Sequence, residues 1–316
     1  MSKPNSERPP DSDFQQQNLK AWQPLLTPGW VIVTFFFISS VFIPIGGIVL
    51  DASNKVHVQE ERYDHLPGKF VQVNLTIEED MKQPIYFYYK LSNFYQNHRR
   101  YVKSRSDKQL RGDDTADLQS CDPLEKNKEG KQLYPCGLVA QSYFNDTFTK
   151  KDNTTEQLPF LNGDPSKTIK WNDTNIAWAS DRESKFKNLT GEARKKYAPL
   201  GVGGFALPDV TQEDFIVWMR TAGLPTFKKL RYRIEQDLKK GDVLTIWIQN
   251  TFPVKEFKGE KAVIISTTSW LGGKNDFLGY AYVIVGAMCF LLGLVFLFKH
   301  CFCERQLGDM GYFNYK

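Results

Sequence analysis

This sequence lacks the common motifs of catalytic and metal-binding sites. It contains no P-loop, no zincin helix and no nucleophile elbow, and no two acidic residues stand out as a general acid and base. The four histidines, His57, His65, His98 and His300, show no ligand spacing. The net charge is +5, but no long basic block occurs, which argues against a nucleic-acid partner. We therefore expect no enzyme, no cofactor and no metal site.

Cysteine is also scarce, with five residues in 316. Only Cys121 and Cys136 lie in the long polar segment between the two apolar runs. If that segment lies in an oxidising compartment, these two have no alternative partner there, and a disulfide between them is expected. Closing a loop of this size is worth about 3 kcal/mol. Cys301 and Cys303 follow the second apolar run, where they are either palmitoylated or free thiols.

Long apolar runs occur at two places, Trp30–Leu50 and Phe277–Phe298. Each spans roughly 30 Å as a helix, the thickness of a hydrocarbon core. The first run is too long, and begins too far from Met1, for a signal peptide. Pro44, Gly46 and Gly47 are expected to kink or loosen its end. The predicted organisation is a cytosolic tail (1–29), a span (30–50), an ectodomain (51–276), a second span (277–298) and a cytosolic tail (299–316).

Three glycines in the second run are spaced by seven residues, at Gly279, Gly286 and Gly293. On a helix they form one stripe, and glycine lets two helix backbones approach closely in lipid. The alternative is that glycine is simply common in membrane helices. We interpret the stripe as a packing face, against the first span or against a partner.

Five Asn-x-Ser/Thr sequons lie between the two runs, at Asn74, Asn145, Asn153, Asn172 and Asn188. N-glycans are attached on the lumenal side, so these sequons place the central segment there and both termini in the cytosol. Lys299, His300 and Arg305 after the second run agree with this orientation. The chain is thus expected to be an integral membrane glycoprotein of the secretory pathway.

The central segment shows mainly strand patterns. Apolar and polar residues alternate in Val71–Ile77, and Ile85–Leu91, Asp242–Gln249 and Lys261–Thr268 are further strand candidates. Thr211 and Asp214 resemble a capping box before a short helix. Strands far apart in sequence, separated by long polar insertions around 104–135 and 150–200, predict an antiparallel β-sandwich with long loops and a few short helices between two transmembrane helices.

Two segments are candidates for contact with a partner. The densest basic cluster contains His98, Arg99, Arg100, Lys103 and Arg105, which either meet an acidic surface or form a solvated face. The stretch that ends at Trp22 has a short amphipathic pattern before the first span. It either packs against a partner or the headgroup layer, or is a plain connector.

Several longer motifs are more specific than these patterns. They are Phe14–Trp22, Ile43–Gly46, Tyr88–Arg105, Cys136–Thr147, Glu213–Pro225 and Ser266–Asn275. Together these motifs resemble one protein family, the ligand-effect-modulator (cell-division-cycle-fifty) family, and they follow the family order from about residue 14 to 300. The members of this family are non-catalytic β-subunits of type IV P-type ATPases, the phospholipid flippases. Asn145 and Cys136 fall on the family's glycosylation and disulfide positions. Many relatives carry a further lumenal cysteine pair, which this chain lacks.

The resemblance implies a two-span subunit with a β-sandwich ectodomain that caps the exoplasmic loops of the ATPase. Such a subunit supports the folding of the ATPase, its exit from the endoplasmic reticulum towards the Golgi or plasma membrane, and its catalytic cycle in moving phospholipid to the cytosolic leaflet. The alternative from another class is a subunit of a two-span ligand-gated channel. Ion pathways tend to carry intramembrane ionisable residues, whereas these runs contain few polar side chains.

Overall fold

The computed structural model describes residues 11–20, 27–149, 151–152, 155–189, 191–198, 201 and 206–303. The chain divides into two compact units. A helical unit combines residues 1–51 with residues 275–316, and a β unit comprises Ala52–Lys274. The two units are described separately.

The helical unit contains two long helices, α1 (Pro28–Asn54) and α8 (Asp276–Phe302), with α1 ending just inside the β unit. Both are long and apolar enough to cross a membrane. Pro44 lies inside α1, and the helix continues past it to Asn54, so the helix does not end at this proline. The expected kink near Pro44, Gly46 and Gly47 stays a prediction. A proline in such a helix removes one backbone hydrogen bond, and neighbouring groups can compensate for the loss.

The β unit consists of strands in two antiparallel sheets, together with short helices in the connections. The strands are β1 (Val58–Arg62), β2 (Phe70–Thr76), β3 (Ile85–Leu91), β4 (Phe160–Leu161), β5 (Asp164–Thr168), β6 (Trp171–Asn172), β7 (Phe227–Ile234), β8 (Val243–Gln249) and β9 (Lys261–Ser266). The short helices are α2 (Arg99–Lys103), α3 (Asp107–Leu110), α4 (Leu138–Gln141), α5 (Ala179–Ser184), α6 (Gly191–Arg194) and α7 (Glu213–Met219).

Within the described residues, one sheet has the strand order β1-β9-β3-β7-β6 and the other the order β2-β8-β4-β5. Their inner faces share one hydrophobic core, to which β2 contributes Val73 and Leu75, and β3 contributes Phe87 and Leu91. The prediction of a mainly-β domain with antiparallel sheets between the two long helices is confirmed. Both sheets join strands distant in sequence, as in the pairing of β2 with β8.

The four predicted strands correspond to β2, β3, β8 and β9, with ends that differ by at most two residues. In β2 the apolar residues are buried and the polar residues between them are exposed, as the alternation predicts. A fifth long strand, β7, was not predicted because its sequence, Phe-Lys-Lys-Leu-Arg-Tyr-Arg-Ile, contains four basic residues. Two of these, Lys229 and Arg231, are satisfied inside the unit: Lys229 donates to backbone carbonyls at the end of α7, and Arg231 forms an ion pair with Asp214.

The predicted helix exists as α7, but its predicted capping box is wrong. The N-cap residue is Gln212, and its side chain makes no capping hydrogen bond. Thr211 instead donates its hydroxyl to Asp209, at 2.7 Å, and Asp214 accepts a hydrogen bond from the Tyr143 hydroxyl, at 2.5 Å. A local turn with Asp209 and a tertiary contact with Tyr143 therefore replace the predicted cap.

Candidate partner-binding surface

The predicted basic cluster forms a short exposed helix, α2, which follows His98. The side chains of His98, Arg99, Arg100 and Lys103 are exposed, whereas Arg105 is half-buried. Arg100 lies 3.5 Å from Asp122, and both side chains are largely exposed to water. An exposed pair of this kind contributes little stability, so these cations are available to another surface.

The opposite side of α2 is held by specific contacts with the β unit. The Tyr101 ring packs edge-on against Phe94, and its hydroxyl is 2.8 Å from Ser142 Oγ. Ser104 donates its hydroxyl to the Cys121 carbonyl and accepts the Leu138 backbone N–H, both at 2.9 Å. The basic side chains therefore project from a fixed backbone.

The disulfide predicted between Cys121 and Cys136 is present, with the two Cα atoms 5.7 Å apart and both residues buried. The buried Gln109 amide joins the same region. It accepts the Cys136 N–H and donates to the Leu133 carbonyl, both at 2.9 Å. The disulfide and this amide hold the 104–135 insertion beneath α2.

A cleft of about 470 Å³ lies next to this basic helix. Its lining includes four cations and two carboxylates, Arg105, Arg111, Lys185, Arg220, Asp107 and Asp181. Arg105 Nε lies 3.1 Å from Asp107, and Arg111 is exposed and forms no ion pair with any described residue. The cations outnumber the carboxylates, so the cleft and the exposed side chains of α2 together form a basic surface.

Asp181 organises the inner wall of the cleft. Its carboxylate binds Arg220 at 2.5 Å and Lys185 at 2.7 Å. The Arg220 hydrogen bond lowers the pKa of Asp181; burial opposes this effect and Lys185 adds to it. Arg220 also lies over the exposed Trp178 ring, 5.2 Å from its centroid. Because one carboxylate pairs with two cations, this wall of the cleft carries a net positive charge.

The segment that carries Trp178 and α5 is fixed by Glu213 at the start of α7. The Glu213 carboxylate accepts the backbone N–H groups of Asn175, Ile176 and Ala177 at 2.7–2.9 Å. The Arg182 guanidinium donates a further hydrogen bond to the same carboxylate, at 3.0 Å. Partial burial works against ionisation, but these donors outweigh it and lower the pKa of Glu213.

The sequon asparagines lie at different depths in the β unit. Asn74 and Asn188 are exposed, and Asn145 and Asn172 are half-buried. Asn153 and the amphipathic residue Trp22 are outside the described residues. Asn188 donates to Asp209 and Asn172 to Glu235, at 2.8 and 3.1 Å. Occupancy of all five sequons stays a prediction.

A buried ion pair within the core was not predicted from the sequence. Lys261 Nζ is 2.6 Å from Asp146 Oδ2, and the two side chains are 1% and 0% exposed. The same ammonium donates to Asn250 Oδ1 and to the Phe252 carbonyl, while Asp146 accepts the Tyr63 hydroxyl. Burial lowers the pKa of Lys261, and the neighbouring Asp146 opposes this shift. A lysine at the start of an otherwise apolar strand is the sequence feature that could have indicated this buried pair.

In the helical unit, the glycine stripe of α8 lies against α1. A Cβ atom added at Gly279, Gly286 or Gly293 would lie 2.5, 2.7 or 3.3 Å from the nearest side-chain atom of Leu50, Ile43 or Phe36, respectively. These three residues of α1 are also spaced by seven, in antiparallel order. Gly46 of α1, which was expected only to kink or loosen the helix, adds a fourth close approach, to Val283.

Comparison with known proteins decides the family. The profile described as "LEM3 (ligand-effect modulator 3) family / CDC50 family" matches residues 16–306. The chain belongs to the CDC50 family. One CDC50-family relative is ALA-interacting subunit 3 of Arabidopsis thaliana, 44% identical over 98% of this chain and 91% of the relative. Cell cycle control protein 50A of Bos taurus is 40% identical over 92% of this chain and 88% of its own length. Phospholipid-transporting ATPase accessory subunit CRF1 of Saccharomyces cerevisiae is 32% identical over 98% and 90%.

Membership of the CDC50 family confirms the resemblance drawn from the sequence motifs. The matched region includes both long helices, the whole β unit and the basic surface. The basic surface therefore lies within the part of the chain that CDC50 relatives share.

Proposed function

We propose that this chain is a non-catalytic accessory subunit of a P-type ATPase that transports phospholipids. The similarity to the yeast protein named as such a subunit, over 98% of this chain, carries the proposal. The name of the Arabidopsis relative, ALA-interacting subunit, also describes binding to another protein. In this proposal the ATPase hydrolyses ATP and provides the lipid path, while this chain supports its folding, its exit from the endoplasmic reticulum and its catalytic cycle.

The proposed topology places the β unit on the lumenal or extracellular side. Residues 30–50 and 277–298 span the membrane within α1 and α8, and the tails 1–29 and 299–316 lie in the cytosol. Two features support this orientation: the five sequons lie between the helices, and the Cys121–Cys136 disulfide belongs to an oxidising compartment. The chain would thus reside in membranes of the secretory pathway.

Within the heterodimer, the basic surface is the proposed contact with acidic lumenal segments of the ATPase. Its exposed cations project from a backbone held by the disulfide and by Ser104. Complementary charge across an interface steers association and disfavours wrong partners. Trp22, which lies outside the described residues, stays a candidate for a second contact on the cytosolic side.

Co-purification tests the function. The tagged full-length chain, solubilised in mild detergent from its own membranes, should recover a P-type ATPase identified by mass spectrometry. Recovery of no P-type ATPase, from membranes in which the tagged chain is glycosylated and abundant, would reject the accessory-subunit assignment.

Charge reversal tests the surface separately. In the triple variant Arg99→Glu/Arg100→Glu/Arg111→Glu, like charges would face the acidic partner, and ATPase recovery should fall at least fivefold. The control is Lys239→Glu/Lys240→Glu, which reverses exposed lysines on the turn between β7 and β8. Equal recovery with both variants would move the contact elsewhere and leave the function itself standing.

The channel alternative gains no support from the helical unit. The Thr34 hydroxyl donates to the Trp30 carbonyl and the Ser40 hydroxyl to the Phe37 carbonyl, both at 2.8 Å in the same helix. Such back-bonded hydroxyls are satisfied by their own helix and need no water-filled path. The family match favours the accessory subunit.

A further inference from the structure

A tight hairpin after β9 presents one large aromatic side chain to solvent. Ser269 and Gly272 exchange backbone hydrogen bonds of 2.8 and 2.9 Å, and Gly272 has a φ of +110°, which favours glycine. Trp270 lies at the tip of this hairpin and is 75% exposed. The doubly bonded turn fixes the backbone, so the exposure of the indole is built into the fold.

The hairpin lies at the edge of the β unit where the chain both enters and leaves. His57 N–H donates to Thr267 Oγ1, and Thr267 N–H donates to the His57 carbonyl, both at 3.0 Å. The first of these residues lies three positions after α1, and the second precedes the hairpin. Trp270 precedes Asp276, the first residue of α8, by six positions, so the tether is at most about 20 Å long.

The residues that follow Trp270 in the sequence match the composition of a membrane–water interface. Lys274 is exposed between the hairpin and α8, and Phe277 and Tyr280 are exposed within the first five residues of α8. Tryptophan and tyrosine concentrate at the headgroup level, where the ring is shielded from water and the N–H or O–H group keeps a polar partner. An indole left in water would keep a partner for its N–H group, but its ring would stay exposed to water.

We propose that the Trp270 hairpin inserts into the phospholipid headgroup layer of the leaflet in which α8 begins, and so fixes the depth of the β unit. The short tether favours lipid as the occupant, since it keeps Trp270 near the membrane surface whether or not the ATPase is bound. Trp178 is the contrast, because it is 67% exposed but lies beside Arg220 at the basic surface. The proposal rests on the proposed membrane topology and not on the ATPase partnership.

Tryptophan quenching in nanodiscs tests the insertion. The probe is phosphatidylcholine brominated near the glycerol end of its acyl chains, which quenches indoles in the interfacial layer. The full-length chain, alone and in complex with its co-expressed ATPase, is compared with Trp270→Phe and with the matched control Trp178→Phe. Iodide in the aqueous phase is the opposite probe, because it quenches the indoles that are exposed to water.

Trp270→Phe should lose part of the lipid-quenched emission of the wild type, both alone and in the complex. Trp178→Phe should keep the lipid-quenched part and lose emission that iodide quenches in the chain alone. The proposal is overturned if Trp270→Phe removes only iodide-quenched emission, which places the indole in water. A second result would also overturn it. In that result, lipid quenches the Trp270 indole neither in the chain alone nor in the complex, and the indole becomes shielded from iodide only in the complex. The ATPase, and not lipid, would then cover it. Neither result bears on whether an ATPase co-purifies.

Discussion

At the scale of single residues, the least expected feature is a charged pair inside the core of the β unit. Asp146 is the middle residue of the Asn145 sequon, and it receives Lys261, Tyr63 and the backbone N–H groups of Thr251 and Phe252. Removing one member of a buried pair leaves an uncompensated charge, which costs far more than the pair contributes as a whole.

Asp146→Asn should therefore lower the free energy of unfolding by about 3–5 kcal/mol, because Lys261 would keep its charge in the core without a carboxylate. The Asn145 sequon stays intact in this variant, so a change in glycosylation would not explain the loss. Combining it with Lys261→Met removes the stranded charge, and the double variant should lose less than the sum of the single losses. Thermal unfolding of the purified proteins measures this cycle.

The control pair is Glu60 and Lys90, 2.7 Å apart and partly exposed on the same sheet. Glu60→Gln should change the free energy of unfolding by only about 0–1 kcal/mol. A loss as large as that of Asp146→Asn would mean that burial is not what makes the Asp146 pair important.

The disulfide can be predicted from the sequence alone, whereas the buried ion pair cannot. Cys121 and Cys136 could be paired because no other cysteine shares their segment. Asp146 and Lys261 are 115 residues apart, and many other carboxylates and lysines lie between them. Their pairing is fixed by tertiary contacts between β9 and the loop after α4, which no local pattern records.

At the scale of secondary-structure elements, α1 and α8 meet through residues of matched spacing. Gly286→Leu would place a side chain where a Cβ already lies 2.7 Å from Ile43 Cγ1 and 3.2 Å from the Ile43 nitrogen. The helices would have to separate, and we expect a lower midpoint of thermal unfolding for the chain in mild detergent without its ATPase.

Gly47→Leu is the matched control, because a Cβ added at Gly47 of α1 meets nothing within 4 Å. It should leave the midpoint close to that of the wild type. Equal midpoints for Gly286→Leu and the wild type would show that the glycine stripe does not determine how these helices pack.

A pH effect is expected where Glu213 holds the segment before α5. Its pKa is lowered, so its stabilising contribution is complete above about 4.3, the ordinary value, and is lost as pH falls through the lowered pKa. The protection of residues 175–177 against hydrogen exchange, relative to the intrinsic rate at each pH, should fall over that range. Glu213→Gln should show faster exchange already at neutral pH, because a neutral acceptor binds N–H groups more weakly.

The exposed Glu183 on α5 provides the control, since Glu183→Gln removes one negative charge nearby without touching these N–H groups. Exchange at 175–177 that accelerates equally in both variants would point to a general charge effect and away from the Glu213 contacts.

Strands proved predictable where one face is apolar and the other polar, as in β2 and β3. Alternation does not reveal β7, whose inward-facing Lys229 donates to carbonyls at the end of α7. Burial, with Arg220 nearby, lowers the pKa of Lys229 to about 8. Partners supplied by α7 and the residues after it make such a basic strand stable, so hydropathy alone underestimates it.

At the scale of the whole molecule, the sequons and the proposed topology make one combined prediction. Glycosidase treatment should reduce the apparent mass of the wild type, and Asn74→Gln should remove one step, because Asn74 lies exposed on β2. The matched control is Glu7→Thr, which creates a sequon at Asn5 in the tail proposed to be cytosolic. That sequon should stay unmodified, since N-glycans are added on the lumenal side. A glycan at Asn5, or a wild type that glycosidase leaves unchanged, would contradict a lumenal β unit between cytosolic tails.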